Sequence, residues 1–302
     1  MSRFIAATLG RLSPRYRTVA QFAEIYQQTL AARDLSPKTM ANHAAALRHI
    51  NAAIGNDIIN RVRPQAIANV TRTLHLRYPH AAQRVLAEAR AMFAEAVALG
   101  WSDQNPAAEV RMPIARIQRQ RITLEQWQAI ANHAAAHLPP WVYRMMVLGL
   151  VTGQRRGDLA KMQFEDVRGG YLHVSQQKTG ALLRIPTTLR LDIIDISVGD
   201  AVEMCREYSK GTVYLLRKST GAQLSAASMS ARFETAREGA LGRHQGEGMP
   251  PSLHELRSLC ERLYRGQGID TRRLLGHTHQ KMTDVYNHDR GLTGGQWMTL
   301  EI

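Results

Sequence analysis

Only two cysteines, Cys205 and Cys260, occur in 302 residues, so no disulfide framework holds the chain together and a reducing cytosol suits it. Both read as small buried apolar residues. Long apolar runs are also missing: MMVLGLV is soon interrupted by Thr152 and Arg155, far short of the ~18 residues that a spanning helix requires. No secretory leader is legible, because Arg3, Arg11 and Arg15 break up the start. No internal repeat or low-complexity tract appears apart from alanine-rich helices. Lysine is scarce: arginine supplies 33 of the 39 basic residues. Acidic residues number 25, which leaves a net charge of +14.

Such a charge calls for a polyanionic partner, and the planar guanidinium fork suits bidentate phosphate contacts better than a lysine point charge. Nucleic acid is favoured over a membrane surface. The charge is uneven: residues 1–120 hold 16 basic against 7 acidic, or +9, and residues 121–302 hold 23 against 18, or +5. The length is comfortable for two domains, each able to bury its own interior.

Residues 1–17, ending in SPRYR, read as a basic lead. Thr18 caps a helix with Val19, Phe22, Ile25, Tyr26 and Leu30 at helical spacing. Ser36 and Pro37 start a second helix that runs to Gly55, a third begins near Pro64, and a fourth spans Ala81 to Leu99 before Gly100. Together 18–105 predict an all-helical bundle. The stretch 106–121 carries Pro106, Pro113 and four arginines without an apolar period, and reads as an exposed basic interdomain linker. A second domain, 122–302, opens on a Thr123 and Gln126 capping box, followed by an apolar core helix, Pro139 to Thr152. GGYLHVSQQ and LLRIP flank a turn as a β-hairpin with Lys178 at its tip. Helices resume at Val202 to Tyr208 and Ala226 to Ala240.

Chemistry concentrates in 251–290. His254 and Arg257 are three apart in HELR and share a helix face, a pairing that suits a phosphate. Asp270 can cap a helix that His277 closes in LLGH, and a last helix, QKMTDVYN, presents Tyr286. A phenol, two histidines and an arginine, with no carboxylate pair for a metal, point to covalent chemistry on a phosphodiester rather than metal-assisted hydrolysis. His133 and His137 are four apart but have no third ligand, and His279 and His288 are given no role. After Tyr286, glycines lead to an apolar strand, WMTLEI, that would need a sheet edge to pair with.

HELR, LLGH and a tyrosine nine residues after that histidine resemble the tyrosine recombinases, the phage integrases, and the ending MTLEI is similar to the lambda-type members. The likeness implies an α/β two-domain chain: an all-α, SAM-like core-binding domain and a mixed, mainly α catalytic domain with a small antiparallel sheet, forming a C-shaped clamp on duplex DNA. The lambda-type members begin with a separate arm-binding domain, and seventeen residues are too few to fold into one.

The resemblance supplies six active-site residues: Arg155 in TGQR, Lys178, His254, Arg257, His277 and the nucleophile Tyr286. Two arginines would hold the non-bridging oxygens, Lys178 would protonate the leaving 5′-oxygen, and the histidines would donate to the phosphate or exchange the phenol proton. Asp158, three residues after Arg155, would brace it on a helix face. Arg111, Arg116, Arg119, Arg121 and Lys38 are candidate DNA contacts. No metal or cofactor is implied. The expected partners are duplex DNA with core attachment sites, three further protomers of a tetramer, and host DNA-bending and excision factors, in the bacterial cytoplasm at the nucleoid. A type IB topoisomerase would share the chemistry without exchanging strands, and a DNA-binding regulator would have lost it.

Overall fold

The computed structural model describes residues 17–115, 119–245 and 248–287. The chain divides into two compact units, Met1–Ile117 and Gln118–Ile302. No helix among the described residues is long and apolar enough to cross a membrane.

The first unit contains helices α1 (Val19–Ala31), α2 (Pro37–Ile54), α3 (Pro64–His75) and α4 (Pro79–Ala98). Thr18 and Gln21 close a reciprocal capping box that starts α1. Proline near the start of α2, α3 and α4 fixes φ where the missing N–H is not needed. Phe22, Leu47, Ile50, Leu86, Met92 and Phe93 fill the interior. The expectation of an exposed linker from residue 106 does not hold here. Ala107 and Val110 are buried in this core, and Arg90 on α4 donates to both of their carbonyls at 3.2 and 2.6 Å. Gln83 holds the Pro113 carbonyl at 2.8 Å. Two small apolar side chains and a half-buried arginine strap suffice to order a segment that has no periodicity to betray it.

In the second unit, α5 (Leu124–His137) follows the Thr123 and Gln126 capping box, and α6 (Pro140–Thr152) is buried on nearly every side. A helix apolar all round belongs at the centre of a domain. Around it pack α5, α8 (Val198–Tyr208), α9 (Ala226–Leu241) and α10 (Glu255–Gly266). The start of α8 precedes the expected one because Ser197 and Asp200 form a capping box of their own.

The short helix α7 (Arg156–Leu159) leads to a three-stranded antiparallel sheet of β1 (Val167–Arg168), β2 (Tyr171–Ser175) and β3 (Leu182–Pro186), in that order. Leu172 faces Ile185 and Val174 faces Leu183, so the alternation legible in the sequence sets the register. A two-stranded pair, β4 (Arg190–Leu191) with β5 (Ile196–Ser197), was not expected. Two further helices, α11 (Thr271–Leu274) and α12 (Gln280–Asn287), complete the described chain, and α12 packs on α10 and α11. The WMTLEI segment lies outside the described residues.

At the end of α6, Gly153 adopts φ +63°, and a Cβ there would meet Cys260 Sγ at 2.7 Å and Leu275 Cδ2 at 2.8 Å. Left-handed backbone and overpacking act together, so Gly153→Ala should destabilise the second unit by about 2 kcal/mol or more. Urea unfolding of the variant checks this; an unchanged midpoint would show that the neighbours give way.

Candidate active site

The site is built where three chain ends converge and leave carbonyls without helical partners. The last turn of α6 is capped by side chains: Tyr264 Oη from α10 donates to the Val151 carbonyl at 3.0 Å, and Gln154 Nε2, just past the helix, to that of Thr152 at 2.8 Å. Arg257, on α10 and 1% exposed, donates through Nη1 to the Gly153 carbonyl at 2.6 Å and through Nη2 to the Leu275 carbonyl. The same Nη2 lies 3.0 Å from His277 Nε2.

The LLGH turn is a Schellman ending of α11. Gly276 at φ +62° donates to Arg273, and the His277 amide donates to Arg272 at 3.0 Å. That geometry fixes His277 just beyond the helix. Its Nδ1 is 2.9 Å from Thr283 Oγ1, which ties it to α12. Tyr286, in the last turn of α12, lies stacked on His277 with ring centroids 5.7 Å apart and planes 4° apart. Its hydroxyl is 3.4 Å from His254 Nε2.

Arg155 precedes α7 with extended backbone, and its Nη1 donates to Gln176 Oε1 at 2.7 Å. Gln176 is buried and reaches three ways. Its amide donates to Gln154 Oε1 at 2.8 Å and to the Leu275 carbonyl at 3.1 Å, and Thr179 Oγ1 donates to its Oε1 at 2.8 Å. One side chain thus links Arg155, the turn that carries Lys178, and the turn that carries His277. Lys178 is exposed, and its charge acts on His254.

Burial and these cations both lower the titration of the two imidazoles. His277 is held well below its ordinary value, at about 4, by burial and then by Arg257 and Arg155. His254 is likewise held at about 4, by loss of solvent and then by Arg257, Arg119, Arg155 and Lys178. Its residue surface is exposed overall, so water screens part of this effect. Burial lowers the Arg257 pKa, Tyr286 raises it and Arg155 lowers it, but a guanidinium stays charged across any working pH. The arrangement offers fixed cations, neutral imidazoles and one phenol around a single spot, a constellation suited to a phosphodiester.

Residues 120–291 match the phage integrase family and residues 20–113 the phage integrase central domain. The prophage integrase IntE of Escherichia coli K12 is 36% identical over 298 residues, covering 95% of this chain and 78% of that protein. The integrase of Escherichia phage lambda is 31% identical over 288 residues, covering 94% and 79%. The structure superposes on a lambda integrase dimer bound to a COC′ core site with a TM-score of 0.87 at 32% identity, covering 94% of this chain and 99% of that one. A lambda integrase tetramer bound to a Holliday junction gives 0.87 at 30%, covering 98% and 83%. The chain is a tyrosine recombinase of the phage integrase family.

In this recombinase the sequence-predicted Arg155, His254, Arg257, His277 and Tyr286 come together, and Lys178 is within electrostatic reach. Four expectations change. Asp158 does not brace Arg155: its Oδ1 accepts from the Gln177 amide at 2.9 Å. Arg155 sits before α7 rather than within it, so helical three-residue spacing does not apply. Arg121 is no DNA contact but is buried, with Nη1 2.9 Å from Glu255 Oε2 and Nη2 2.5 Å from the Val285 carbonyl. Arg119 is half-buried, its backbone is bridged to Met249, and its charge acts on His254, so it belongs to this site rather than to a solvated linker.

Arg111 and Lys38 are exposed on the first unit, and Arg116 lies outside the described residues. Arg156 turns away to Ser230 Oγ on α9. Missed altogether were Gln154, Gln176 and Thr283, whose polar side chains next to motif residues were the only signal.

Because both histidine pKa values are depressed, an unfolded chain binds more protons than the folded one between about pH 4 and 6.5, and stability should rise with pH across that window. His277 should remain neutral at pH 5.5, where a free imidazole is mostly charged. Imidazole NMR titration checks this. A midpoint for His277 near 6.5 would mean that Arg257 and burial do not act on it as described.

Proposed function

We propose that this recombinase cleaves and rejoins duplex DNA at specific core sites through a covalent bond to Tyr286. The Tyr286 oxygen bonds to phosphorus, and the deoxyribose 5′-oxygen departs with a proton from Lys178. A 3′-phosphotyrosyl link remains that stores the energy of the broken bond. Attack by the 5′-hydroxyl of a second duplex reverses the step and releases the phenol. Two such exchanges, made by four protomers in turn, pass through a Holliday junction.

Arg155 and Arg257 hold the two non-bridging oxygens where negative charge builds. His254, neutral at working pH, takes the phenol proton; His277 steadies the phosphate and the tyrosine ring. Arg111 and Lys38 neutralise backbone phosphates, a contribution that weakens with salt. Host DNA-bending and excision proteins act as accessory factors, at the nucleoid of the host cell. One observation carries the reading: the Tyr286 hydroxyl lies 3.4 Å from His254 Nε2, beside the buried Arg257. The lambda integrase complexes with a core site and with a Holliday junction support the DNA partner and the tetramer.

A substrate with a 5′-bridging phosphorothiolate tests the proton donor, since its sulfur leaves without a proton. It should restore single-turnover cleavage to Lys178→Ala, leave Arg257→Ala impaired, and do nothing for Tyr286→Phe, which retains DNA affinity. Failure of Lys178→Ala on that substrate would assign the lysine to binding, and covalent adduct from Tyr286→Phe would remove the nucleophile.

A further inference from the structure

We infer that Arg121 is a positioning residue that latches the nucleophile's helix against α10. This rests on the reading of Tyr286 as nucleophile. The helix α12 has eight residues, too few to be stable alone, and its outer face is exposed at Met282 and Val285. Apolar packing therefore holds it weakly at the end where Tyr286 stands. Polar ties to the backbone and side chains of the helix compensate. Near its start, Thr283 is bound to His277. Near its end, the Arg121 fork reaches the carbonyl of Val285, the residue before Tyr286, with Nη2, while Nη1 holds Glu255, the residue after His254.

The guanidinium carbon is 5.7 Å from the Tyr286 ring. One planar cation thus sets Tyr286 against His254 across two elements. A cation at the C-terminal end of a helix also satisfies carbonyls that lack intrahelical partners. A purely structural role would need only the Arg121–Glu255 pair, whose side chains are 1% and 2% exposed. The second arm of the fork, closing on the backbone beside the phenol, is what that role leaves unexplained. Lysine cannot make both contacts, because it is a point donor rather than a fork.

The test is R121K, which keeps the charge beside Glu255. Single-turnover cleavage at saturating protein should fall about tenfold or more, with DNA affinity unchanged, because the phenol is displaced rather than the binding surface. Amide hydrogen exchange should accelerate over 280–287 and stay at the parental rate over 256–264. R121Q/E255Q, which removes both members of the buried ion pair together, takes away the same latch should R121K not fold. Parental cleavage in the variants would overturn the proposal. Faster exchange in both helices alike would overturn it too, by showing general support. Covalent adduct from Tyr286→Phe would instead overturn the nucleophile assignment, and the selective exchange of 280–287 would then stand as a structural latch only.

Discussion

The Arg257 guanidinium is the interaction on which the catalytic unit depends. It lies at the junction of α6, α10 and the turn after α11, donating to carbonyls of Gly153 and Leu275 and standing 3.0 Å from His277. A buried cation is costly unless its donors find acceptors, and here both Nη groups find carbonyls at helix ends that need donors, while Nε is left without a partner. The same group that serves those ends is the one proposed to hold a phosphate oxygen. Structure and chemistry are therefore not separable at this position. Loss of the fork would take the Arg257 donor from the Gly153 carbonyl, leave the Leu275 carbonyl with Gln176 alone, and remove one of two guanidinium groups from the site.

Around this centre, Gln154 and Gln176 do for Arg155 what Arg257 does for itself. Gln176 is buried between Arg155, Thr179, Gln154 and the Leu275 carbonyl, so the two arginines share Leu275 as a common anchor, one directly and one through an amide. Burial first, and then the cations so close together, make a proton costly on either histidine, so that both are neutral near pH 7. A neutral imidazole beside a phenol can receive its proton, whereas an imidazolium could not.

Much of this was legible in the sequence because it rests on local rules. Thr18, Thr123 and Asp270 announce helix starts through their own side chains, and Gly276 announces the turn that sets His277. The spacing of His254 and Arg257 needs only a helical turn. What was hidden depends on long-range partners. Arg121 pairs with Glu255, 134 residues away, and Arg155 with Gln176 across a strand, so no window of sequence contains both members. An arginine-rich stretch without periodicity looked solvated, although Arg121 is buried and Arg119 acts on His254. Asp158 followed a helical spacing rule that fails because Arg155 is extended.

The central claim is that this pre-arranged cluster directs Tyr286, and no other residue, to the scissile phosphate. A nicked suicide substrate, from which the cleaved fragment diffuses away, traps the protein on DNA, and mass spectrometry of the nucleotide-linked peptide identifies the attachment residue. The account predicts a single adduct, on Tyr286, formed by the parent protein. An adduct on any other residue, or cleavage without covalent attachment, would contradict it.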